Sequence, residues 1–115
     1  ADEIAAGLRR RPAALAPKFF YDRLGSRLFD AITELTEYYP TRTEAGIFAR
    51  ETAAIADAIG PGATLVDLGA GNCAKAAALL PALQAARYVA VDISADHLRQ
   101  SLDALQSAQP ALAIT

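Results

Sequence analysis

The sequence predicts an α/β fold in which a helical N-terminal arm, residues 1–60, precedes the start of a doubly wound parallel sheet, residues 61–115. Two short apolar segments, residues 64–68 and 88–91, have the length and residue types of buried strands. Each is followed by a segment with helical character, and a third strand begins near residue 111. Strands that alternate with helices are typical of parallel sheets with right-handed crossovers.

The composition excludes several classes of protein. The chain has 115 residues, 53% of them apolar, and a net charge of −2, which suits a packed core but not the basic face of a nucleic-acid-binding protein. No apolar run approaches the roughly 20 residues of a membrane span. The one cysteine excludes an intrachain disulfide, and no residues have metal-ligand spacing. We therefore expect a cytoplasmic protein without a metal, whose partners are small molecules rather than nucleic acid or membrane.

Local signals set the expected bounds of the N-terminal helices. Apolar periodicity predicts a short helix over residues 26–35. Thr41 and Glu44 form a T-x-x-E capping box directly after Pro40, and this motif predicts the start of a longer helix. The run Gly60-Pro61-Gly62 predicts where that helix ends, because proline cannot continue a helix and glycine tolerates a left-handed cap.

The second half of the chain carries further signals. Helices are predicted over residues 72–86 and 95–108, with Ser94 as the N-cap of the second and His97 on its exposed face. Parallel sheets normally have several strands and are covered on both faces. We therefore expect these residues to be the N-terminal part of a larger domain, and we expect them not to form a stable, active domain alone.

A glycine-rich loop after the first strand is the candidate ligand site. Its pattern is G-x-G-x-x-A: Gly69 permits a tight turn, Gly71 allows a ligand to approach the backbone, and Ala74 is small enough for helix–strand packing. Asp92 ends the next strand about 20 residues further on, where a carboxylate can accept hydrogen bonds from ribose hydroxyls. The pattern predicts a ligand that contains a nucleoside.

Charges around the loop favour one nucleoside over another. A dinucleotide places a pyrophosphate at the helix N-terminus, whereas S-adenosylmethionine carries a sulfonium, an ammonium and a carboxylate. Asp67 puts a negative charge beneath the loop, which suits the two cationic groups, and Lys75 can bind the carboxylate. S-adenosylmethionine is therefore favoured, and an NAD(P)-dependent oxidoreductase is the alternative.

Motifs in the N-terminal half add a family resemblance. The segments in question are Pro17-Lys18-Phe19-Phe20-Tyr21-Asp22, Gly25-Ser26, Leu28-Phe29 and Glu37-Tyr38-Tyr39-Pro40-Thr41-Arg42-Thr43-Glu44. Together with the glycine loop, Lys75 and Val91-Asp92-Ile93-Ser94, they resemble the S-adenosylmethionine-dependent histidine Nα-methyltransferases of ergothioneine biosynthesis. The resemblance covers residue 17 to the C-terminus. It implies a class I methyltransferase (Rossmann-like) fold, a second substrate-recognition domain and trimethylation of the L-histidine α-amine to hercynine.

The resemblance also implies site residues, position by position. The substrate-pocket residues are Tyr21, Phe29 and Tyr38. The cofactor contacts for S-adenosyl-L-methionine are Gly69, Gly71, Lys75 and Asp92. Asp67, two residues before the loop, and Ala70, within it, are added to them. No catalytic residue is predicted, since the reaction requires alignment more than covalent help. In this chain Asn72-Cys73 stands where the family usually has small hydroxyl residues. A non-catalytic methyltransferase-like binding domain is a further alternative.

Overall fold

A computed structural model describes residues 2–115. In chain order the elements are helix α1 (Asp2–Leu8), a 3-10 helix (Pro17–Phe20), α2 (Arg23–Thr33), α3 (Tyr39–Ile59), β1 (Thr64–Leu68), α4 (Ala74–Leu83), β2 (Arg87–Val91), α5 (Ala95–Ala108) and β3 (Ala113–Ile114). The predicted order of helices followed by alternating strands and helices is confirmed. Within the described residues, every helix is too short or too polar to cross a membrane.

The three strands form a parallel sheet in the order β1-β2-β3. In its register Leu65 lies beside Tyr88, and Leu68, the last residue of β1, lies beside Val91, the last residue of β2. The carboxyl ends of β1 and β2 are therefore adjacent. This brings the glycine loop that follows β1 next to Asp92, which follows β2.

One face of the sheet holds the core, and the other is open. The first face packs against α4 and α5, and its buried residues are Ala70, Cys73, Ala76, Leu80, Tyr88 and Leu105. On the opposite face Val66, Leu68 and Val91 are 55%, 79% and 49% exposed. Parallel strands are apolar on both sides because both sides are normally covered.

Helix α2 begins three residues before the predicted position. The carboxylate of Asp22 accepts a hydrogen bond from the Gly25 N–H at 2.8 Å. This N-cap satisfies one of the amide groups that the first turn of a helix leaves unpaired. The predicted helix is thus confirmed in kind, but its start depends on an acidic cap that apolar periodicity does not reveal.

The predicted capping box of α3 is wrong. The helix begins at Tyr39, and no side chain caps it. Pro40 occupies the first turn, where its missing N–H costs nothing, so Thr41 already lies inside the helix. Glu44 instead forms an ion pair with Lys75 of α4. The predicted end is confirmed, because α3 stops at Ile59 and Gly60 follows with a φ of 78°.

Arg42 fixes the turn between α2 and α3. Its guanidinium donates to the carbonyl oxygens of Leu35 at 2.9 Å and Thr36 at 2.6 Å. A planar guanidinium presents several donors in one rigid fork, so one side chain holds two consecutive carbonyls of the connection. The motif around Arg42 therefore has a structural purpose in addition to any role at the site.

Two predictions for single residues in the second half are wrong. His97 is only 20% exposed and lies 3.6 Å from the carboxylate of Asp30, because α2 packs against α5 and covers this face of the helix. Ala74 is exposed, so it does not provide the close helix–strand packing expected of the third small residue. Ala70, Cys73 and Ala76 make that contact instead.

We predict that the 115-residue polypeptide alone unfolds without a sharp thermal transition, because its small core must hold a sheet with one apolar face in water. The measurement is far-UV circular dichroism against temperature, together with binding of the dye ANS, which reports exposed apolar surface. A Leu68→Asn variant should bind less dye. A sharp cooperative melt without dye binding would contradict the prediction.

Candidate functional site

The loop between β1 and α4, residues 69–73, takes a left-handed path. Gly69 and Gly71 have φ values of 80° and 53°, which glycine adopts readily. A Cβ at either position would meet no atom within 4 Å, so the requirement for glycine is conformational and the outer side of the loop is open to a ligand. Cys73 also has a positive φ, 58°, which is strained for an L-residue.

Asp92 ties this loop to the end of β2. Its Oδ2 accepts from the Gly71 N–H at 2.9 Å, and its Oδ1 accepts from the Ser94 N–H at 2.8 Å. The Val91 carbonyl accepts from the amides of Gly69 at 2.8 Å and Ala70 at 3.2 Å. A carboxylate has about four acceptor sites. Two of those of Asp92 therefore remain for the hydrogen-bond donors of a ligand.

The amide groups of the loop are largely used within the protein. Besides the three that bind at the end of β2, the Cys73 N–H donates to the Ala70 carbonyl at 2.8 Å. The Ala74 N–H, at the first residue of α4, donates to the Asn72 side-chain oxygen at 3.1 Å. A pyrophosphate binds such a turn through unpaired amides. This arrangement therefore suits a nucleoside without phosphates better than a dinucleotide.

A buried tyrosine holds Asp67 in place. The Tyr88 hydroxyl donates to Asp67 Oδ2 at 3.0 Å, and the Tyr88 side chain is completely buried. Burial raises the pKa of Tyr88 above its ordinary value, and the neighbouring Cys73 and Asp67 raise it further. The hydroxyl therefore stays protonated and remains a donor. This role of Tyr88 was not predicted from the sequence, although a buried tyrosine in a strand generally needs a partner for its hydroxyl.

Cys73 is a buried, protonated thiol. Burial is the largest cause that raises its pKa, the charges of Asp67 and Asp92 act in the same direction, and a hydrogen bond with Tyr88 partly opposes them. A thiol in this environment is a poor nucleophile at neutral pH, because the thiolate is the reactive form. The Cys73 side chain thus fills space in the core on the inner side of the loop. Residues 2–115 contain no group of His, Cys, Asp and Glu side chains that could hold a metal ion.

Lys75 lies on the side of the loop that faces α3. Its Nζ is 3.2 Å from Glu44 Oε1 and 5.9 Å from the centroid of the Phe48 ring. Lys75 and Asp67 both border a largely apolar groove of about 260 Å³ between α3, β1 and α4. The Lys75 side chain is still 41% exposed, and an ammonium has three donors, so the contact with Glu44 leaves donors for an additional anion.

The predicted substrate residues form a pair and a separate third member. The rings of Phe29 and Tyr38 meet edge to face, with centroids 5.8 Å apart and planes at 82°. Within the described residues this ring contact does not include Tyr21. Tyr21 instead contacts the turn that follows β2 through its carbonyl, which accepts from the Ser94 hydroxyl at 3.2 Å.

The chain is similar to several known proteins. One relative is the histidine N-alpha-methyltransferase of Mycolicibacterium smegmatis, 44% identical over 116 residues that cover 97% of this chain and 36% of the relative. The ergothioneine biosynthesis protein 1 of Neurospora crassa is 37% identical over 79% of this chain and 11% of the relative. The 4-dimethylallyltryptophan N-methyltransferase easF of Claviceps purpurea is 34% identical over 92% of this chain and 32% of the relative.

The chain spans about a third of the length of the first and third of these relatives. The family model for histidine-specific, SAM-dependent methyltransferases matches residues 1–115, which is the whole chain. The sequence resemblance to this family is therefore confirmed, and the chain belongs to the histidine-specific, S-adenosylmethionine-dependent methyltransferases.

Proposed function

We propose that the protein transfers a methyl group from S-adenosylmethionine to the α-amine of L-histidine, with hercynine as the trimethylated product. The observation that carries the proposal is the closure of the glycine loop on Asp92 through the Gly71 N–H. The family to which the chain belongs supports the same activity. An NAD(P)-dependent oxidoreductase is disfavoured because most amides of the loop are already hydrogen-bonded within the protein. A non-catalytic binding domain is disfavoured because the loop keeps both of its glycines and its contact with Asp92.

The residues around the loop fit the proposed cofactor. Asp92 retains acceptor sites for the ribose hydroxyls, while Gly69, Ala70 and Gly71 present backbone at an open surface. Asp67, held by Tyr88, supplies a fixed negative charge for the cationic groups. Lys75 is the one cation of this set, and we assign it to the carboxylate of the methionine part.

The chemistry requires alignment and a neutral amine. When bound, S-adenosylmethionine supplies a methyl group that an amine attacks in line with the bond to the sulfonium sulfur. The tasks of the protein are to hold the amine on that line and to accept it in its deprotonated form. Orientation of this kind accounts for much of the rate of a displacement between two bound reactants. Tyrosine hydroxyls orient an amino acid without adding a charge at neutral pH.

The aromatic pair of Phe29 and Tyr38 is our proposed wall of the acceptor pocket, with Tyr21 beside it. An edge-to-face pair offers a rigid surface for an imidazole ring, and the Tyr38 hydroxyl offers a hydrogen bond. A larger aromatic amino acid is the second candidate acceptor, because one relative is named for a dimethylallyltryptophan substrate. Histidine is preferred, because the relative named for histidine is 44% identical and that one 34%.

We also propose the finer architecture. The order β1-β2-β3, with both crossing helices on one face, matches one half of a Rossmann-like class I methyltransferase sheet. In that arrangement the free edge of β1 is where the second half pairs. Residues 1–60 form the helical arm that contributes to the substrate pocket, and residues 61–115 begin the cofactor domain. The free thiol of Cys73 fits the reducing conditions of the cytoplasm.

For the cofactor, we predict that Asp92→Ala in the full-length protein weakens S-adenosylhomocysteine binding at least tenfold. Each hydrogen bond lost to a charged group costs about 1.5–3 kcal/mol. Isothermal calorimetry measures the change, with NADH as the competing ligand. Asp96→Ala is the matched control, because Asp96 is an exposed carboxylate on α5 that contacts only Arg99 among the described residues. Unchanged affinity in Asp92→Ala, or tight NADH binding by the wild type, would refute the assignment.

For Lys75, two substitutions separate a ligand contact from a structural ion pair. Both Lys75→Met and Glu44→Gln break the exposed pair, which is worth at most about 1 kcal/mol in stability. If Lys75 binds the cofactor carboxylate, we expect only Lys75→Met to weaken S-adenosylhomocysteine binding in calorimetry. Equal affinities in the two variants would assign Lys75 to the ion pair alone.

For the acceptor, Tyr38→Phe keeps the ring contact with Phe29 and removes only the hydroxyl. We expect kcat/KM for histidine to fall by an amount that corresponds to about 0.5–1.5 kcal/mol of transition-state stabilisation, the contribution of one hydrogen bond. The affinity for the cofactor should be nearly unchanged. Mass spectrometry follows the mono-, di- and trimethylated products, with other amino acids in parallel. Tyr39→Phe is the control, because Tyr39 is the more exposed neighbour. Methylation of a different amino acid in place of histidine would overturn the substrate but not the reaction.

A further inference from the structure

Ser94 makes contacts in two directions at once. Its backbone N–H donates to Asp92 Oδ1 at 2.8 Å, on the cofactor side. Its hydroxyl donates to the Tyr21 carbonyl at 3.2 Å, on the side of the N-terminal helices. It also lies 3.2 Å from the Ser26 hydroxyl, whose one proton is shared between Ser94 and the Asp22 carbonyl at 3.1 Å. The side chain is buried, with only 9% of the residue exposed. One residue therefore joins the turn after β2 to the segment that precedes the proposed acceptor pocket.

The hydroxyl of Ser94 is not needed for the helix it precedes. A serine at this position ordinarily accepts a hydrogen bond from an amide in the first helical turn, but α5 has no side-chain cap. The hydroxyl is directed to Tyr21 and Ser26 instead. Loss of the hydroxyl thus removes contacts between the two parts of the chain. It leaves α5 in place, and it leaves the hydrogen bond from the Ser94 N–H to the Asp92 carboxylate in place.

The partners of Ser94 lie close in sequence to the proposed acceptor residues. Tyr21 is itself one of them, and Ser26 is on α2 one turn before Phe29. Asp30, on the next turn of α2, makes a second contact with α5 through His97 at 3.6 Å. The Asp92 turn is therefore connected to α2 and to the segment before it through the Ser94 hydroxyl.

We propose that Ser94 is a positioning residue that couples cofactor binding to acceptor binding. The proposal rests on the proposed function, because it needs Asp92 at the cofactor and Tyr21 at the acceptor. Occupation of the cofactor site fixes the Asp92–Ser94 turn, and the Ser94 hydroxyl then holds Tyr21 and α2 in the arrangement that binds the amino acid. Histidine accordingly binds more tightly when the cofactor is present.

The test is a binding cycle on the full-length protein. Isothermal calorimetry measures the Kd of L-histidine with and without saturating S-adenosylhomocysteine, which cannot transfer a methyl group. The coupling is the Kd of histidine without S-adenosylhomocysteine divided by its Kd with it. The same ratio must be found when the Kd of S-adenosylhomocysteine is measured without and with histidine. We expect Ser94→Ala to reduce this ratio by about three- to tenfold, the worth of one or two hydrogen bonds. The affinity for S-adenosylhomocysteine alone should change less than about twofold, because the hydrogen bond from the Ser94 N–H to Asp92 remains.

Three further variants make the result specific. Ser94→Thr keeps the hydroxyl and should restore the coupling. Ser26→Ala removes the neighbouring contact from the α2 side, together with the bond from the Ser26 hydroxyl to the Asp22 carbonyl. It should reduce the coupling partly, even if Ser94→Ala proves unstable. Ser101→Ala is the control on the same helix, because the Ser101 hydroxyl bonds only to the His97 carbonyl within α5 among the described residues. It should leave the coupling unchanged.

The outcomes separate this proposal from the proposed function. Wild-type coupling in both Ser94→Ala and Ser26→Ala would overturn the role of Ser94 and leave the methyltransferase assignment intact. An equal loss of coupling in Ser101→Ala would also overturn it, as would a wild-type ratio of one in a protein that still methylates histidine. A wild type that binds neither ligand would overturn the proposed function itself, and the coupling with it.

Discussion

The bond between the Asp92 carboxylate and the Gly71 N–H is the constraint on which the rest of the site depends. It closes the loop that follows β1 against the end of β2, and this is possible because parallel pairing places the two carboxyl ends side by side. The second oxygen of the same carboxylate orients the Ser94 amide. A single ionised group therefore fixes the glycine loop and the start of α5, and it does so with sites to spare for a ligand.

The strands, the loop and the end of α3 could be predicted from the sequence because each depends on neighbouring residues. A parallel strand is apolar throughout, and Gly60, Gly69 and Gly71 lie where the backbone requires a positive φ. The partners of Glu44, Lys75, His97 and Ser94 could not be predicted in this way. Each of these side chains has a local use, as a cap or a solvated charge, and the structure gives it a distant partner because α2 and α3 pack against α5 and α4.

The segment that carries the family resemblance holds the helices in place and also contains Tyr38, a proposed acceptor residue. Arg42 holds the connection between α2 and α3, and Glu44 links α3 to α4, so both set the position of the helices. Tyr38, four residues before Arg42, packs against Phe29. A pocket on a turn is accurate only if the turn is rigid. The motif thus contains both an aromatic ring, that of Tyr38, and the residues that hold this ring in place.

The buried thiol of Cys73 has a practical consequence for the study of motion. Cys73 is the last residue of the glycine loop and is 2% exposed, and burial raises its pKa. An alkylating reagent can reach it only when the loop lifts away from the core, and the thiolate forms readily only then. Because the 115-residue chain has a single cysteine, the rate at which this cysteine is alkylated reports how often the loop opens. The molecule needs no added label to record how often the loop separates from the sheet.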